Sequence, residues 1–290
     1  MRAIKSAFNK ISHPKHQQPS SPVAPPASTP APIAQSTMAA PLTLANKVAL
    51  VTGSSRSIGA AIAKDLASKG ASVIINYASS ASAADEVVKS IETEGRGKAV
   101  AVKADVSSIA GAQTLLDGTL KAFGKLDILV LNAGIMGNAT LEQLDEDFYQ
   151  RHMDANVKGP LFLTKLAAPH LTSGGRIVFF STSVTRMSTV SAPYLVYSAT
   201  KGAVEQLSRV LAKELGPKGI TVNTVSPGPV NTPLFNDGKP PQVIEMIKNM
   251  APLKRLGEPE DIAPLVSFLA SEEARWVNGQ NILCNGGFVV

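Results

Sequence analysis

Tyr197 and Lys201 frame the run YSATK, which sets a phenol and an ammonium four positions apart. In a helix that spacing puts both side chains on one face, one turn from each other. A phenol ordinarily keeps its proton to about pH 10, and a nearby cation favours the ionised form, so the pair could donate a proton nearer neutrality. Taken alone, such a pair is common, and a half-buried helix residue beside a solvated one is the favoured reading. A second stretch stands far upstream: Thr52-Gly53-Ser54-Ser55-Arg56-Ser57-Ile58-Gly59, followed by AAIAKDLASKG. Gly53 permits a tight turn and Gly59 lets a helix lie against a strand. Free N–H groups at the helix start can then hold a pyrophosphate. The spacing is G-x-x-x-S-x-G, with Ser57 standing where a second glycine would complete a dinucleotide turn.

Both stretches need a scaffold, and the chain supplies one from Asn46 onward. Apolar runs at 47–52, 72–76, 99–103, 127–131, 176–180, 220–225 and 281–284 read as strands buried on both faces. Helix-length segments such as 81–94 and 107–123 separate them, with serine or threonine near their starts and Gly70, Gly95 and Gly124 near their ends. Repeated βαβ units of this kind predict an α/β fold, a Rossmann-type doubly wound parallel sheet in a single domain over 42–290. Ligands of such sheets sit at the carboxyl ends of the strands, which is where both stretches fall.

Residues 1–41 are of different composition, dense in Pro, Ser and Ala, and are expected to form a disordered tail. Ile4, Phe8 and Ile11 share one helical face among Arg2, Lys5 and Lys10, and the first 40 residues contain no acid. Those features are similar to a mitochondrial transit segment, the alternative to a cytoplasmic location. Of the net charge of +6, four charges lie in that tail, so the remainder carries about +2 and offers no nucleic-acid surface. No apolar run approaches the ~20 residues of a membrane span, so no membrane partner is expected. Cys284, the one cysteine, cannot form an intramolecular disulfide. His152 and His170 stand apart from other ligand types, and His13 and His16 fall in the tail, so no metal is expected.

Six motifs in chain order resemble those of the short-chain dehydrogenase/reductase family. They are the turn 52–59, Leu131-Asn132-Ala133-Gly134, Asn156 in DANVKG, Ser183 after the fifth strand, Tyr197-Ser198-Ala199-Thr200-Lys201, and Pro227-Gly228-Pro229-Val230-Asn231-Thr232. The resemblance implies hydride transfer between NADP(H) and a small carbonyl substrate. It implies Tyr197 as proton donor, Ser183 as a donor to the same oxygen, Lys201 as the cation beside the phenol, and Asn156 as holder of a proton-relaying water. The spacing from Ser183 to Tyr197 is one residue longer than the family's commonest, and Ser181, of the same strand parity, is a substitute for it. Cofactor contacts are implied at Gly53, Ser55, Arg56, Ser57, Ile58 and Gly59, and at Asn76, Tyr77 and Ser79 after the second strand. They continue at Asp105 and Val106, at Asn132, Ala133 and Gly134, and at Pro227, Gly228, Val230 and Thr232, with Tyr197 and Lys201 closing the set.

No acid follows the second strand until Asp85, so nothing there would repel a 2′-phosphate, which the resemblance places near Arg56. A homotetramer is implied by analogy, through the helix bearing Ala203, Leu207, Val210, Leu211 and Leu215. Met187, Tyr194, Phe235, Met246 and Met250 are candidate pocket residues, which would make the substrate apolar or aromatic. Two other functions fit the same motifs. One is a 3-oxoacyl-carrier reductase, with Lys239, Lys248, Lys254 and Arg255 as a basic patch for an acidic carrier. The other is a cofactor-sensing protein without turnover.

Overall fold

The computed structural model describes residues 42–290. The readings for residues 1–41, the tail and its targeting features, lie outside the described residues. The chain begins with β1 (Val48–Val51), α1 (Ser57–Ser68), β2 (Ser72–Tyr77), α2 (Ala81–Glu94), β3 (Lys98–Lys103), α3 (Ile109–Phe123) and β4 (Leu126–Leu131). It continues with α4 (Glu146–Met153), a π-helical turn at Asp154–Lys158, α5 (Gly159–Ala167), β5 (Leu171–Phe180), α6 (Leu195–Leu215) and β6 (Thr221–Pro227). Two short helices, α7 (Pro233–Asn236) and α8 (Pro241–Met250), precede α9 (Pro259–Ala270) and β7 (Asn281–Cys284).

The strands form one parallel sheet in the order β3-β2-β1-β4-β5-β6-β7. Period-two alternation divides its apolar residues between two layers. Ala49, Val51, Val73, Ile75, Ile128 and Val130 pack beneath α1, α2 and α9. Leu50, Ile74, Leu129 and Leu131 face the other way, against Leu115 and Leu116 of α3, Leu163 of α5 and Val204 of α6. The strand order reverses between β1 and β4, where the glycine turn and the Asn132-Ala133-Gly134 segment emerge side by side.

Local chemistry sets the element ends. Gly95 and Gly124 adopt left-handed φ values of 67° and 76° at the C-caps of α2 and α3, and Ser108 caps α3 by accepting from Gly111 N. The sequence reading placed α2 at its observed bounds but began β5 five residues late. Residues 172–175 (TSGG) carry no apolar alternation, yet Leu171 still pairs with Leu126 across a register shift, so tertiary pairing overrides the local pattern. β6 runs on to Pro227, a residue that needs no ladder donor at a strand end. The expected stripe on α6 also shifts. Thr200, Lys201, Val204, Ser208, Ala212 and Leu215 face inward, whereas Ala203, Leu207 and Leu211 are only partly covered and Val210 is 58% exposed.

Candidate active site

The β1–α1 turn is braced from behind. Gly53 takes a φ of 63°, and a Cβ at Gly59 would collide with the Gly53 carbonyl and the Asn132 side chain, so both glycines are required by geometry. Ser57 holds a φ of 51°, the left-handed conformation that glycine would adopt freely. The turn keeps its shape with serine, at a backbone cost of about 1–2 kcal/mol. Asn132 Nδ2 donates to Thr52 O at 2.9 Å, and Thr52 Oγ1 accepts from Ala133 N at 2.9 Å, which ties β1 to β4 at the switch point. No side chain caps the start of α1, and Arg56 at that N-cap is exposed and makes no ion pair among the described residues. The exposed rim continues through Ser79 after β2 and Asp105 after β3, with Tyr77 and Val106 half-covered. Asp105 Oδ1 accepts from Ser107 N and Oγ, shaping its own turn.

Asn76 plays a different part from the one the resemblance implied. It is 2% exposed. Its Oδ1 accepts from Gly53 N at 3.0 Å, and its Nδ2 donates to Ala104 O at 3.0 Å and Val102 O at 3.4 Å. Every polar atom of the carboxamide is spent on backbone, so it locks the ends of β1, β2 and β3 together and presents nothing to a ligand.

Beside this rim a cleft opens over the ends of β4, β5 and β6. Ile58, Asn132, Gly134, Ser183, Tyr197, Lys201, Pro227, Gly228, Val230 and Thr232 all line it. Lys201 is buried, and its Nζ donates to Phe180 O at 2.9 Å and stands 5.9 Å from the Tyr197 ring centroid. Asn156 lies beneath, in the π-helical turn. Its Oδ1 accepts from Ile135 N and its Nδ2 donates to Ile135 O, both at 2.9 Å, and Nδ2 also reaches Thr200 Oγ1 at 3.1 Å. A Cβ at Gly134 would come within 3.0 Å of Asn156 Oδ1 and 3.4 Å of Lys201 Nζ. Ser183 opens a 3₁₀ turn, and no partner among the described residues takes up its hydroxyl. Ser181, the alternative, donates to Glu205 Oε1 at 2.8 Å.

Removal from water governs both titrating groups. It pushes the Tyr197 phenol up to about 12, partly offset by a hydrogen bond with Thr182, so the lowered phenol expected from the Tyr–Lys spacing is absent in the cofactor-free chain. Burial pulls Lys201 down to about 8 from its ordinary 10.5. Folding therefore bears the cost of a buried ammonium below pH ~8. That cost is released as pH rises from about 8 to 10.5, where the folded chain has shed a proton that the unfolded chain still holds.

Tyr194 and Phe235 line the cleft, as the sequence reading expected, but Met187, Met246 and Met250 do not. Met246 and Met250 are 57% and 52% exposed on α8, which buries none of its residues. Met136, Leu234 and Phe288 occupy the wall in their place. Phe288 arrives by the return of the C-terminus, which no local signal announces. Thr182 and Glu205 were also missed, although Glu205 stands one further turn along the Tyr197–Lys201 face.

A phosphate-type turn and a half-buried proton donor at two points on one sheet edge belong together in dinucleotide-dependent oxidoreductases. The family model described as enoyl-(acyl carrier protein) reductase matches residues 53–289. A probable tetrahydroxynaphthalene reductase of Zymoseptoria tritici is 41% identical over 254 residues, covering 84% of this chain and 94% of that protein. An NADPH-dependent aldehyde reductase-like chloroplastic protein of Arabidopsis thaliana is 42% identical over 86% of this chain and 96% of its own length. A short-chain dehydrogenase from Burkholderia cenocepacia, solved in complex with NADP, superposes with a TM-score of 0.80 at 39% identity, covering 85% of this chain and 99% of that one. The chain belongs to the short-chain dehydrogenase/reductase family.

The bracing role of Asn76 is open to test. Asn76→Ala orphans the Gly53 amide and two strand-end carbonyls, and should lower the unfolding free energy in urea by about 2–4 kcal/mol. A loss below ~0.5 kcal/mol would show that water or a shifted backbone replaces the carboxamide.

Proposed function

We propose that this enzyme reduces the carbonyl of a small apolar or aromatic ketone or aldehyde, with NADP(H) as cofactor and Tyr197, Lys201, Ser183 and Asn156 as the working set. The observation that carries the reading is the cleft itself. A phenol, a buried ammonium and an uncommitted serine hydroxyl converge beneath a wall of Met136, Tyr194, Leu234, Phe235 and Phe288. Bound NADPH supplies the hydride for the carbonyl carbon. Reduction builds negative charge on the substrate oxygen, and Tyr197 and Ser183 donate to that oxygen. Lys201 is placed to keep positive charge beneath the phenol as it gives up its proton. Asn156 fixes Ile135 and Thr200 on either side of Gly134. Its Nδ2 is spent on Ile135 O and Thr200 Oγ1, so a water held for proton return would donate to one of its oxygens.

Gly53, Ser55, Ser57, Ile58 and Gly59 form the pyrophosphate turn of this reading, with the uncapped start of α1 supplying N–H donors. Asn132, Ala133, Gly134, Pro227, Gly228, Val230 and Thr232 line the nicotinamide side. Tyr77, Ser79, Asp105 and Val106 border the adenosine side. Arg56, exposed and without an ion pair among the described residues, is the group for a 2′-phosphate.

The carrier-protein alternative fares less well. Lys239 donates to Phe235 O, Lys248 pairs with Glu245, Lys254 donates to Asn249 O, and Arg255 pairs with Asp261. Each cation of the expected patch is locally engaged. We also infer a homotetramer, supported by the partly bare α6 stripe at Ala203, Leu207, Val210 and Leu211 and by Trp276 at 95% exposure; a monomer mass in light scattering would contradict it. No helix among the described residues is long and apolar enough to cross a membrane. As a separate proposal we favour the cytoplasm over mitochondria, and import of a fluorescent protein fused to residues 1–37 would contradict it.

NADPH oxidation measured against phenanthrenequinone, menadione, benzaldehyde and an acetoacetyl thioester tests the reading. Tyr197→Phe removes one hydroxyl and is expected to lower kcat by roughly 10²–10⁴-fold with NADPH binding intact. Near-normal turnover would sink the mechanism. Wild type should prefer NADPH to NADH by roughly tenfold or more in kcat/KM, the worth of one charge-assisted contact. Arg56→Ala should erase most of that preference by weakening NADPH alone.

A further inference from the structure

Glu205 is a carboxylate close to the reacting groups that the mechanism above leaves unused. It follows Lys201 by one turn on α6, so Tyr197, Lys201 and Glu205 form a single file at intervals of four. Its side chain is only 12% exposed. One oxygen, Oε1, accepts from Ser181 Oγ at 2.8 Å and from Thr185 Oγ1 at 2.6 Å, the short separation expected of hydroxyls donating to a carboxylate. The other oxygen faces Arg186 Nε at 3.9 Å.

These three partners flank Ser183 in sequence. Ser181 directly follows β5, and Thr185 and Arg186 close the 3₁₀ turn that starts at Ser183. Backbone bonding within that turn is thin. Thr185 N reaches Thr182 O at 3.3 Å and Met187 N reaches Val184 O at 3.1 Å. Helices of this type are short and poorly bonded, and here two side-chain contacts add to the backbone ones, Thr185 Oγ1 to Thr182 O at 2.9 Å and Val184 N to Thr182 Oγ1 at 3.4 Å. Ser183 itself has no partner among the described residues to fix it. Ser181 before it and Thr185 after it both donate to Glu205. The turn is therefore anchored to α6 on both sides of the serine.

We propose that Glu205 is a positioning residue that clamps the Ser181–Arg186 turn and so sets the Ser183 hydroxyl relative to Tyr197. Both hydroxyls that face the substrate oxygen are then measured from one rigid helix. The same clamp commits Ser181 to Glu205, which leaves Ser183 as the serine free to act. The inference rests on the reading of Ser183 as a donor to the substrate oxygen.

A double-mutant cycle separates the two claims. Ser183→Ala alone tests the reading; unchanged kcat on the fastest carbonyl of the probe panel would defeat it. Glu205→Leu should lower kcat by roughly tenfold or more while leaving the NADPH dissociation constant within about twofold. Glu205→Gln, which keeps one acceptor oxygen, should recover most of that loss. On the Ser183→Ala background, Glu205→Leu should cost less than about threefold, because the group it positions is already gone. A full-sized loss on that background would overturn the inference while leaving the reading intact. Thr185→Val removes one of the two hydroxyl contacts and repeats the cycle should Glu205→Leu fold poorly. Amide hydrogen exchange gives a readout independent of turnover. Protection should fall in residues 182–187 of either variant and stay unchanged in α6 and β5, and uniform protection across all of them would also overturn the proposal.

Discussion

Most of the site hangs on one buried contact, the Lys201 ammonium donating to the Phe180 carbonyl. A cation in that position is costly, as its depressed pKa records, and it is tolerated because a main-chain oxygen at the end of β5 meets it. The contact joins the start of α6 to the carboxyl edge of the sheet. It fixes where Tyr197 stands, and it sets the space that Gly134 must leave free. Asn156 then holds the β4 loop against Thr200 on the same helix. A helix that slid by even one residue would break all of these together.

The nucleotide side is built on a different economy. There the backbone is the working surface, so the side chains serve to brace it. Thr52, Asn76 and Asn132 each spend polar atoms on main-chain groups at the ends of the first four strands. Ser57 accepts a left-handed backbone that a glycine would take without strain. The strain stored at this one residue is small against the number of bonds that hold the turn, so the turn can carry a serine there.

The sheet and its helices were legible because two-sided burial writes continuous apolar runs, and because Gly95 and Gly124 mark their helix ends in the sequence. Strand ends failed where pairing overrode pattern, as at 171–175. The motif residues were legible as types, but their orientations were not. Nothing in the sequence says that the Asn76 carboxamide turns inward to backbone, or that Phe288 returns from the far terminus to wall the cleft. Strand parity could not separate Ser181 from Ser183, because it cannot show that Ser181 turns to Glu205 while the chain enters a 3₁₀ turn at Ser183. Glu205 was readable in principle from its spacing to Lys201, but its partners lie across a loop that spacing cannot place.

Lys201 is a desolvated cation held by the sheet edge rather than a mobile surface lysine. Carbon-detected NMR of side-chain-labelled lysines in the cofactor-free enzyme, with the Lys201 resonance assigned by its loss in Lys201→Met, measures this directly. The account predicts a titration midpoint near 8 for Lys201, set apart from the exposed lysines. A midpoint at the ordinary 10.5, together with the exposed lysines, would mean that the ammonium is solvated and that the Phe180 contact does not hold the site together.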